Sequence, residues 1–345
     1  MSTEAPEPTE NGLAGGRIED QVRACLVRSG TSRFIVVNRQ DAPSDLDERT
    51  LALELFGGNS VADGLGGDHY QLNKLAIWQQ TLGGELEFTF FSLAPGSRVV
   101  SRGAQCGHAA VAVALVSEGR RPASERGGPV RVRNVDTGQI LEVSPRSAAD
   151  EPIGSCHARI IHEPPVSMAN GTELVVSATD HDEIRWEAVA AGNIFALIPG
   201  RQLLDDRKRR REIQAVTLEW ARTESVPNAS EEFVRSITYD VQWETPTHAR
   251  IDAVCHNGDE RHNSLPVSGS SALCDHLTLK RLLDRDFPTT PDRENVEFVF
   301  HVTSVSGTEV VEVHASHRSG SWTIQSTSCT TNARLLIEGI AFLSP

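Results

Sequence analysis

The sequence predicts an α+β protein made of two similar halves, each with a sheet wrapped around one buried helix. Each half contains a glycine-bearing polar turn that opens a helix of small apolar residues, GAQCGHAAVAVAL from Gly103 and SGSSALCDHLTL from Ser268. Strand-like segments lie on both sides of each helix. The chain has 345 residues, which is enough for two domains of ordinary size.

The first half begins with QVRACLVRSGTSRFIVVN, which gives two apolar strands separated by a turn. DERTLALELFG predicts a helix that ends at glycine, and ELEFTFFSLA alternates apolar and polar residues as a half-buried strand does. GHAAVAVALVSEG has side chains small enough for a helix that is buried on all sides and ends at Gly119. PVRVRNVDTGQILEVSP predicts a hairpin that turns at DTG.

The second half begins with the apolar strand in EAVAAGNIFALIPG, followed by a helix over residues 205–222. SGSSALCDHLTLKRLL has helical periodicity. VEFVFHVTSV, TEVVEVHASH, SWTIQSTS and ARLLIEGIAFL predict the closing strands. We expect a disordered leader at residues 1–16, an N-terminal domain at 17–186 and a C-terminal domain at 187–345 whose last strand packs on the first domain.

Composition and charge argue against several classes of protein. The net charge of -14 opposes binding to nucleic acid, because counterion release requires a basic face. The basic run RKRRR at residues 207–211 is interpreted as a solvated helix face, since acidic residues flank it. No apolar run reaches the length of about 18 residues that spans a membrane. The N-terminus lacks the basic and apolar regions of a signal peptide, so we expect a cytoplasmic protein.

The six cysteines form no C-x-x-C pair, and we expect reduced thiols. No H-x-x-x-H spacing or cluster of acidic and histidine residues predicts a metal site. DGLGGD lacks the strand, helix and distant acid of a dinucleotide-binding fingerprint and is interpreted as a tight turn near a cleft. The sequence therefore predicts no metal and no cofactor.

Cys106 lies where the first small-residue helix begins. A helix N-terminus has unpartnered N–H groups and partial positive charge, which stabilise a bound carboxylate and favour a thiolate. Such a turn suits proton abstraction from a carbon next to a carboxylate, with Gly103 and Gly107 allowing close approach of the backbone. The alternative is a small core cysteine that happens to begin a helix, and spacing alone does not decide between them.

A series of motifs runs in order from Cys25 to Pro345: VRSGTSR, DGLGGDHYQLNKLAI from Asp63, RGAQCGHAAVAVAL, RNVDTGQILEVSP, VAAGNIFALIP, LPVSGSSALC, VSGT and TNARLLIEGIAFLSP. Together they resemble the motifs of the PrpF-like isomerases, which move double bonds in methylaconitate, methylitaconate and oxalomesaconate and are related to diaminopimelate epimerase. The resemblance implies a diaminopimelate epimerase-like fold with two pseudo-symmetric domains, each a mostly antiparallel sheet around a central helix. It also implies a cofactor-independent enzyme.

The catalytic pair of this family is a lysine and a cysteine, and the resemblance places them at Lys74 and Cys106. A lysine near an anionic substrate can take an allylic proton if burial lowers its pKa, whereas a solvent-facing lysine is the alternative. The resemblance also implies substrate-binding residues, for which ordinary turn residues are the alternative. They are Arg28, Ser29, Gly30, Thr31, Ser32, Gly66, Gly67, Gly107, His108, Asn193, Ser268, Gly269, Ser270, Ser271, Ser306 and Gly307.

The chain departs from the family pattern at several positions. His108 stands in place of an asparagine, and Ser304 and Val305 stand in place of a His-Pro pair. Ser268 stands where diaminopimelate epimerase has its second catalytic cysteine, which opposes racemisation by two thiols. We infer that the proton-transfer chemistry is kept on a substrate less charged than a tricarboxylate.

Three hypotheses follow. The first is an isomerase that moves a C=C bond by a 1,3-proton shift in an unsaturated or keto acid, with Lys74 and Cys106 as acid and base in either order. The second redirects the fold to cyclisation or epimerisation of a natural-product intermediate and predicts a roomier, more apolar cleft. The third is a non-catalytic ligand-binding relative. The expected partner is a small organic acid or related biosynthetic intermediate, not nucleic acid or a membrane, and a homodimer is left open.

Overall fold

A computed structural model of the chain describes residues 21–57, 64–120, 127–144, 155–167, 171–177, 183–200, 206–226, 229–284, 287, 294–318 and 320–343. The predicted leader at 1–16 and Asp63, which opens DGLGGD, lie outside the described residues. No helix in these ranges is long and apolar enough to cross a membrane.

The elements of the first half follow the order β1 (Gln21–Ser29), β2 (Ser32–Asn38), α1 (Glu48–Phe56), β3 (Lys74–Gln80), β4 (Leu86–Leu93), β5 (Val100–Arg102), α2 (Gly107–Glu118), β6 (Val130–Asn134), β7 (Ile140–Ser144) and β8 (Ser155–Ser167). Those of the second half are β9 (Gly171–Ser177), β10 (Glu183–Ala190), β11 (Ile194–Pro199), α3 (Arg207–Thr223), β12 (Val234–Trp243), β13 (His248–Asn257), β14 (Glu260–Arg261), α4 (Val267–Leu283), β15 (Asn295–Ser304), β16 (Gly307–Arg318) and β17 (Ser321–Phe342).

The two halves repeat one order of strand pairing. In the first, β1 is antiparallel to β2, β2 parallel to β3, β3 antiparallel to β4, β4 parallel to β6, and β6, β7 and β8 are antiparallel. In the second, β10, β11, β12, β13, β15, β16 and β17 pair in the same sequence of directions. α2 and α4 occupy the same place in the two series, after the short strands β5 and β14. The predicted architecture of two pseudo-symmetric α+β halves is confirmed.

The strands of the two halves belong to one continuous sheet, and the halves are joined along β17. Residues 323–332 of this strand pair with β8, and residues 333–342 pair with β1. β9 pairs with β10 in the same antiparallel manner. The two segments predicted as separate closing strands therefore form one continuous strand that contacts both halves. The division of the chain into domains at residues 186 and 187 remains a proposal.

The central helix α2 explains why the first sheet can wrap around it. Every residue from Ala109 to Ala114 is fully buried, and α2 contacts β1, β2, β3, β4, β6, β7, β8 and β17. Alanine and valine side chains project little from the helix axis, so strands can approach it from all sides. The sheet and helix thus share one apolar core.

Three local predictions have informative outcomes. Gly57 closes α1 with a left-handed φ of 109°, as predicted, whereas Gly119 ends α2 with a right-handed φ of -63° that any residue adopts. The interpretation of RKRRR as a solvated face is wrong at Arg210, which is only 4% exposed in α3. The adjacent Arg211 is exposed and pairs with Asp259.

Candidate active site

A cavity of about 760 Å³ lies between the two halves. The N-terminal ends of α2 and α4 meet in its wall, because Gly107 and Val267 both line it. A Cβ atom added at Gly107 would lie 2.6 Å from the Cβ of Val267, which is closer than two side chains approach. Gly107 is therefore needed for the contact between the two helices, and this contact brings both helix N-termini to the cavity.

Cys106 is the N-cap residue of α2 and lines the cavity in a half-buried position. Its backbone is extended, with φ -137° and ψ 99°, and its side chain makes no capping hydrogen bond. The thiol is therefore not committed to holding the helix end. The unpartnered N–H groups that a helix has in its first turn lie beside it and give this part of the cavity a positive potential.

Lys74 begins β3 and lines the same cavity, although its side chain is only 7% exposed. Its Nζ donates to Ser32 Oγ at 3.0 Å and lies 5.6 Å from the ring centres of Phe34 and Tyr70. No carboxylate in the described part of the chain forms an ion pair with it. Burial lowers the pKa of Lys74, an effect that Cys106 opposes. The alternative of a solvent-facing lysine is wrong.

A tight loop before β3 fixes the position of Lys74. The Asn73 side chain accepts from Gly67 N at 2.7 Å and donates to Gly67 O at 3.0 Å. Arg33 Nη2 donates to the carbonyl oxygens of Leu65 and Gly66 at 2.8 Å. Gly66 and Gly67, which we predicted to bind substrate, do not line the cavity but hold this loop against its neighbours.

The turn between β1 and β2 places Thr31 and Ser32 in the cavity wall. At Gly30, which has φ +54°, an added Cβ would lie 2.4 Å from His108 Nε2, so the turn needs glycine to admit the imidazole ring. His108 Nε2 lies 3.2 Å from Thr331 Oγ1. Burial, with a smaller effect of Lys74, lowers the pKa of His108 to about 3, so the ring is neutral at pH 7.

The equivalent turn between β10 and β11 places Asn193 at the cavity. Asn193 Nδ2 donates to Gln105 O at 2.7 Å and to Ser268 Oγ at 3.1 Å, and so links the starts of α2 and α4. Gln105 also lines the cavity, and Thr137 Oγ1 donates to its Oε1 at 3.0 Å. Asn193 and Ser268 were predicted site residues, whereas Gln105 was not.

A cluster of polar side chains near Lys74 links the two halves. Gln71 Nε2 donates to Thr31 Oγ1 at 3.0 Å, and Thr31 Oγ1 lies 3.0 Å from Ser264 Oγ. The rings of Tyr70 and His262 meet edge to face at 5.1 Å, and both line the cavity. Burial, reinforced by Lys74 and Arg235, lowers the pKa of His262 well below its usual value.

Arg235 on β12 also lines the cavity, and the sequence analysis missed it. Its Nη1 donates to Phe233 O at 3.3 Å, and it forms no ion pair with any acid in the described ranges. Arg211 at the cavity mouth differs, because Asp259 neutralises it. Arg235 therefore leaves a positive charge at the cavity for an anionic ligand. Among the described residues, no group of three or more His, Cys, Asp and Glu side chains could hold a metal ion.

Several predicted site residues have structural partners instead of a place in the cavity wall. Ser271 Oγ donates to Asp275 Oδ2 at 2.9 Å, and Ser270 Oγ donates to Glu309, so both hydroxyls satisfy carboxylates inside the second half. The turn between β15 and β16 is exposed to solvent at its tip. The predicted residues that do not line the cavity are Arg28, Ser29, Gly30, Gly66, Gly67, Gly269, Ser270, Ser271, Ser306 and Gly307.

No protein-family profile matches the chain. No curated protein sequence matches it either. Several solved structures are similar to the chain, including three that match nearly its whole length. A methylitaconate-delta-isomerase has a TM-score of 0.59 and 16% identity, covering 94% of this chain and 95% of its own. A hydroxyproline epimerase from Agrobacterium vitis, with bound trans-4-hydroxy-L-proline, has a TM-score of 0.57 and 14% identity, covering 94% of each chain.

The third is a probable proline racemase from Agrobacterium radiobacter K84 with bound carbonate, which has a TM-score of 0.54 and 14% identity, covering 94% of this chain and 93% of its own. At these identities the likeness shows the fold alone. The repeated strand order and the two central helices agree with it. The chain has the diaminopimelate epimerase-like fold, in which two pseudo-symmetric α+β halves enclose a cleft.

Proposed function

We propose that this chain is a cofactor-independent isomerase that transfers a proton on a carboxylic acid, with Lys74 and Cys106 as the acid–base pair. The observation that carries the proposal is the shared cavity. A buried lysine with a lowered pKa and no described carboxylate partner lines the same cavity as a half-buried thiol at a helix N-terminus. The similar structures include a delta-isomerase, an epimerase and a probable racemase, which supports isomerisation or epimerisation in general.

The reaction that we favour is a 1,3-proton shift in an unsaturated acid. The neutral amine of Lys74 takes an allylic proton, so that the C–H bond breaks and its electron pair spreads into a dienolate. The N–H groups at the helix N-termini stabilise the negative charge that develops on the carboxylate oxygens. The Cys106 thiol then gives its proton to the far carbon, and the double bond moves. Proton transfer from the Lys74 ammonium back to the thiolate restores the starting state.

The size of the cavity supports a second candidate on the same fold, epimerisation or cyclisation of a larger intermediate. A volume of about 760 Å³ lies within the range of about 300–1,000 Å³ found for sites that enclose drug-sized ligands. Phe90, Leu93, Phe233 and Val267 give the lining an apolar component. In epimerisation the same acid–base pair would act at one carbon, with one group removing a proton from a stereocentre and the other giving a proton to the opposite face of that carbon.

The test is solvent deuterium uptake into a panel of 2-enoic and 3-enoic acids, followed by NMR. We expect uptake at the allylic carbon with the wild type and a loss of about 100-fold or more with Cys106→Ser and with Lys74→Met. Cys25→Ala, which changes a buried thiol elsewhere, and Lys280→Met, which changes a surface lysine, should keep the wild-type rate.

Uptake at a stereocentre without double-bond migration would favour the second candidate. No uptake into any acid, or unchanged uptake in both the Cys106 and Lys74 variants, would refute the acid–base assignment. A non-catalytic relative requires an unreactive thiol, so rapid alkylation of Cys106 by iodoacetamide near neutral pH, absent in Cys106→Ser, would contradict that hypothesis.

A further inference from the structure

One face of α3 borders the cavity beyond the proposed acid–base pair. Arg211, Gln214, Ala215 and Leu218 all line the cavity, and their spacing of three, one and three positions places them along a single helix face. Val216 follows Ala215 directly, is 36% exposed and does not line the cavity. The cavity is therefore longer than the space around Lys74 and Cys106, and α3 forms the wall of its extension.

The extension has an apolar floor and a polar rim. Leu218 is 4% exposed and belongs to the same apolar cluster as Val234, which also lines the cavity. Phe233, which is 7% exposed, adds an aromatic ring. The Arg211–Asp259 ion pair and the polar side chains of Gln214, Glu231, Asn257 and Glu260 also line the cavity. A concave surface that combines an apolar area with bordering polar groups is the usual form of a ligand subsite.

The charges show how a ligand would be oriented in this space. Arg235 directly follows Phe233 and Val234, and it lies close enough to Lys74 to reinforce the lowering of its pKa that burial causes. Arg211, in contrast, is neutralised by Asp259. A carboxylate is therefore attracted to Arg235, and the rest of an elongated acid would extend over Leu218 and Phe233.

We propose that the α3 face is a subsite for the apolar body of the substrate, and that the substrate class is a carboxylic acid with an elongated apolar chain or ring. This inference rests on the proposed function only for the position of the carboxylate. Ala215 is the residue that controls access to the subsite, since it is exposed on the cleft-facing side of α3.

The experiment measures the binding of crotonic, trans-2-hexenoic, trans-2-octenoic and trans-2-decenoic acids by isothermal titration calorimetry. Each CH₂ group that enters an apolar subsite should lower Kd by about twofold to fourfold. Ala215→Trp fills the subsite and should abolish this dependence on chain length. Val216→Trp, the same change on the adjacent position that faces away from the cavity, should retain it.

Circular dichroism and thermal melting check that the variants fold, and the smaller Ala215→Phe should give an intermediate dependence. A wild-type Kd that does not fall with chain length, or an equal fall in Ala215→Trp, would overturn the proposal. Binding and catalysis can be separated. A chain-length dependence without deuterium uptake would keep the subsite and refute the acid–base function, whereas uptake without that dependence would do the reverse.

Discussion

Replacing Lys74 by methionine should stabilise the protein against urea at neutral pH relative to the wild type, and the gain should shrink as the pH rises. Burial lowers the pKa of Lys74 in the folded protein from its ordinary value of 10.5. Between the two pKa values the unfolded chain binds a proton at this amine that the folded chain does not bind. The free energy of unfolding of the wild type therefore rises with pH in that range. Methionine binds no proton in either state.

The size of the effect follows from the single proton involved. A difference of one bound proton changes the free energy of unfolding by about 1.4 kcal/mol per pH unit. The variant also loses the hydrogen bond from Nζ to Ser32 Oγ at 3.0 Å, which contributes about 0.5–1.5 kcal/mol at every pH. The loss of this hydrogen bond shifts the difference in free energy of unfolding between variant and wild type by the same amount at every pH. The slope of that difference against pH therefore reports only the titration of Lys74.

The assay is urea unfolding followed by tryptophan fluorescence, for the wild type and Lys74→Met, between about pH 7 and pH 9. The control is Lys208→Met, because the Lys208 side chain is 88% exposed. The slope of its free-energy difference from the wild type against pH is the reference with which the slope of Lys74→Met is compared. A flat difference for Lys74→Met, or one that grows as the pH rises, would show that the amine is charged in the folded protein and would remove it as a neutral base.

Further predictions concern the contact between α2 and α4, the charge of Arg235 and the buried imidazole of His108. Gly107→Ala places a Cβ 2.6 Å from that of Val267 and should lower the free energy of unfolding by about 1–3 kcal/mol. Adding Val267→Ala should restore part of this loss in urea unfolding, and no restoration would contradict the contact. Arg235→Met should weaken the binding of enoic acids about tenfold in calorimetry, because it removes charged hydrogen bonds, whereas Arg211→Met should have little effect. Because the pKa of His108 falls from 6.5 to about 3, the free energy of unfolding should decrease from pH 6.5 towards pH 3, as the unfolded ring gains a proton that the folded ring does not. His108→Asn should reduce this pH dependence, and an unchanged slope would refute it.

The central helices could be predicted from the sequence because their signal is local. The run of alanine and valine after Gly107 allows burial on every side, and the structure buries Ala109 to Ala114 completely. The order of the strands could not be read in the same way. β1 pairs with residues 333–342 at the far end of the chain, and no local pattern specifies a partner at that distance. The same reason explains why one long strand was predicted as two.

The residues of the candidate site likewise differ in whether a local sequence pattern identifies them. Motifs identified Lys74 and Cys106, and the structure places both at one cavity. Arg235 lies in an ordinary strand with no motif, and only the fold brings it to that cavity. Ser271 shows the opposite case. Ser271 lies near the polar start of α4, a position that is typical of ligand binding. Its hydroxyl nevertheless donates to Asp275, one helical turn later. Sequence pattern does not show whether a hydroxyl faces a ligand or a carboxylate of its own domain.

Because residues 333–342 pair with β1, the first and last strands of the described chain lie side by side. Gln21 lies beside Phe342, just as Glu183 lies beside Ser177 where β9 pairs with β10. A circular permutant that joins these neighbouring ends and opens the chain between β9 and β10 would keep every strand pairing while the second half became the first to be synthesised. The fold thus has two equivalent pairs of neighbouring strand ends, one in each half.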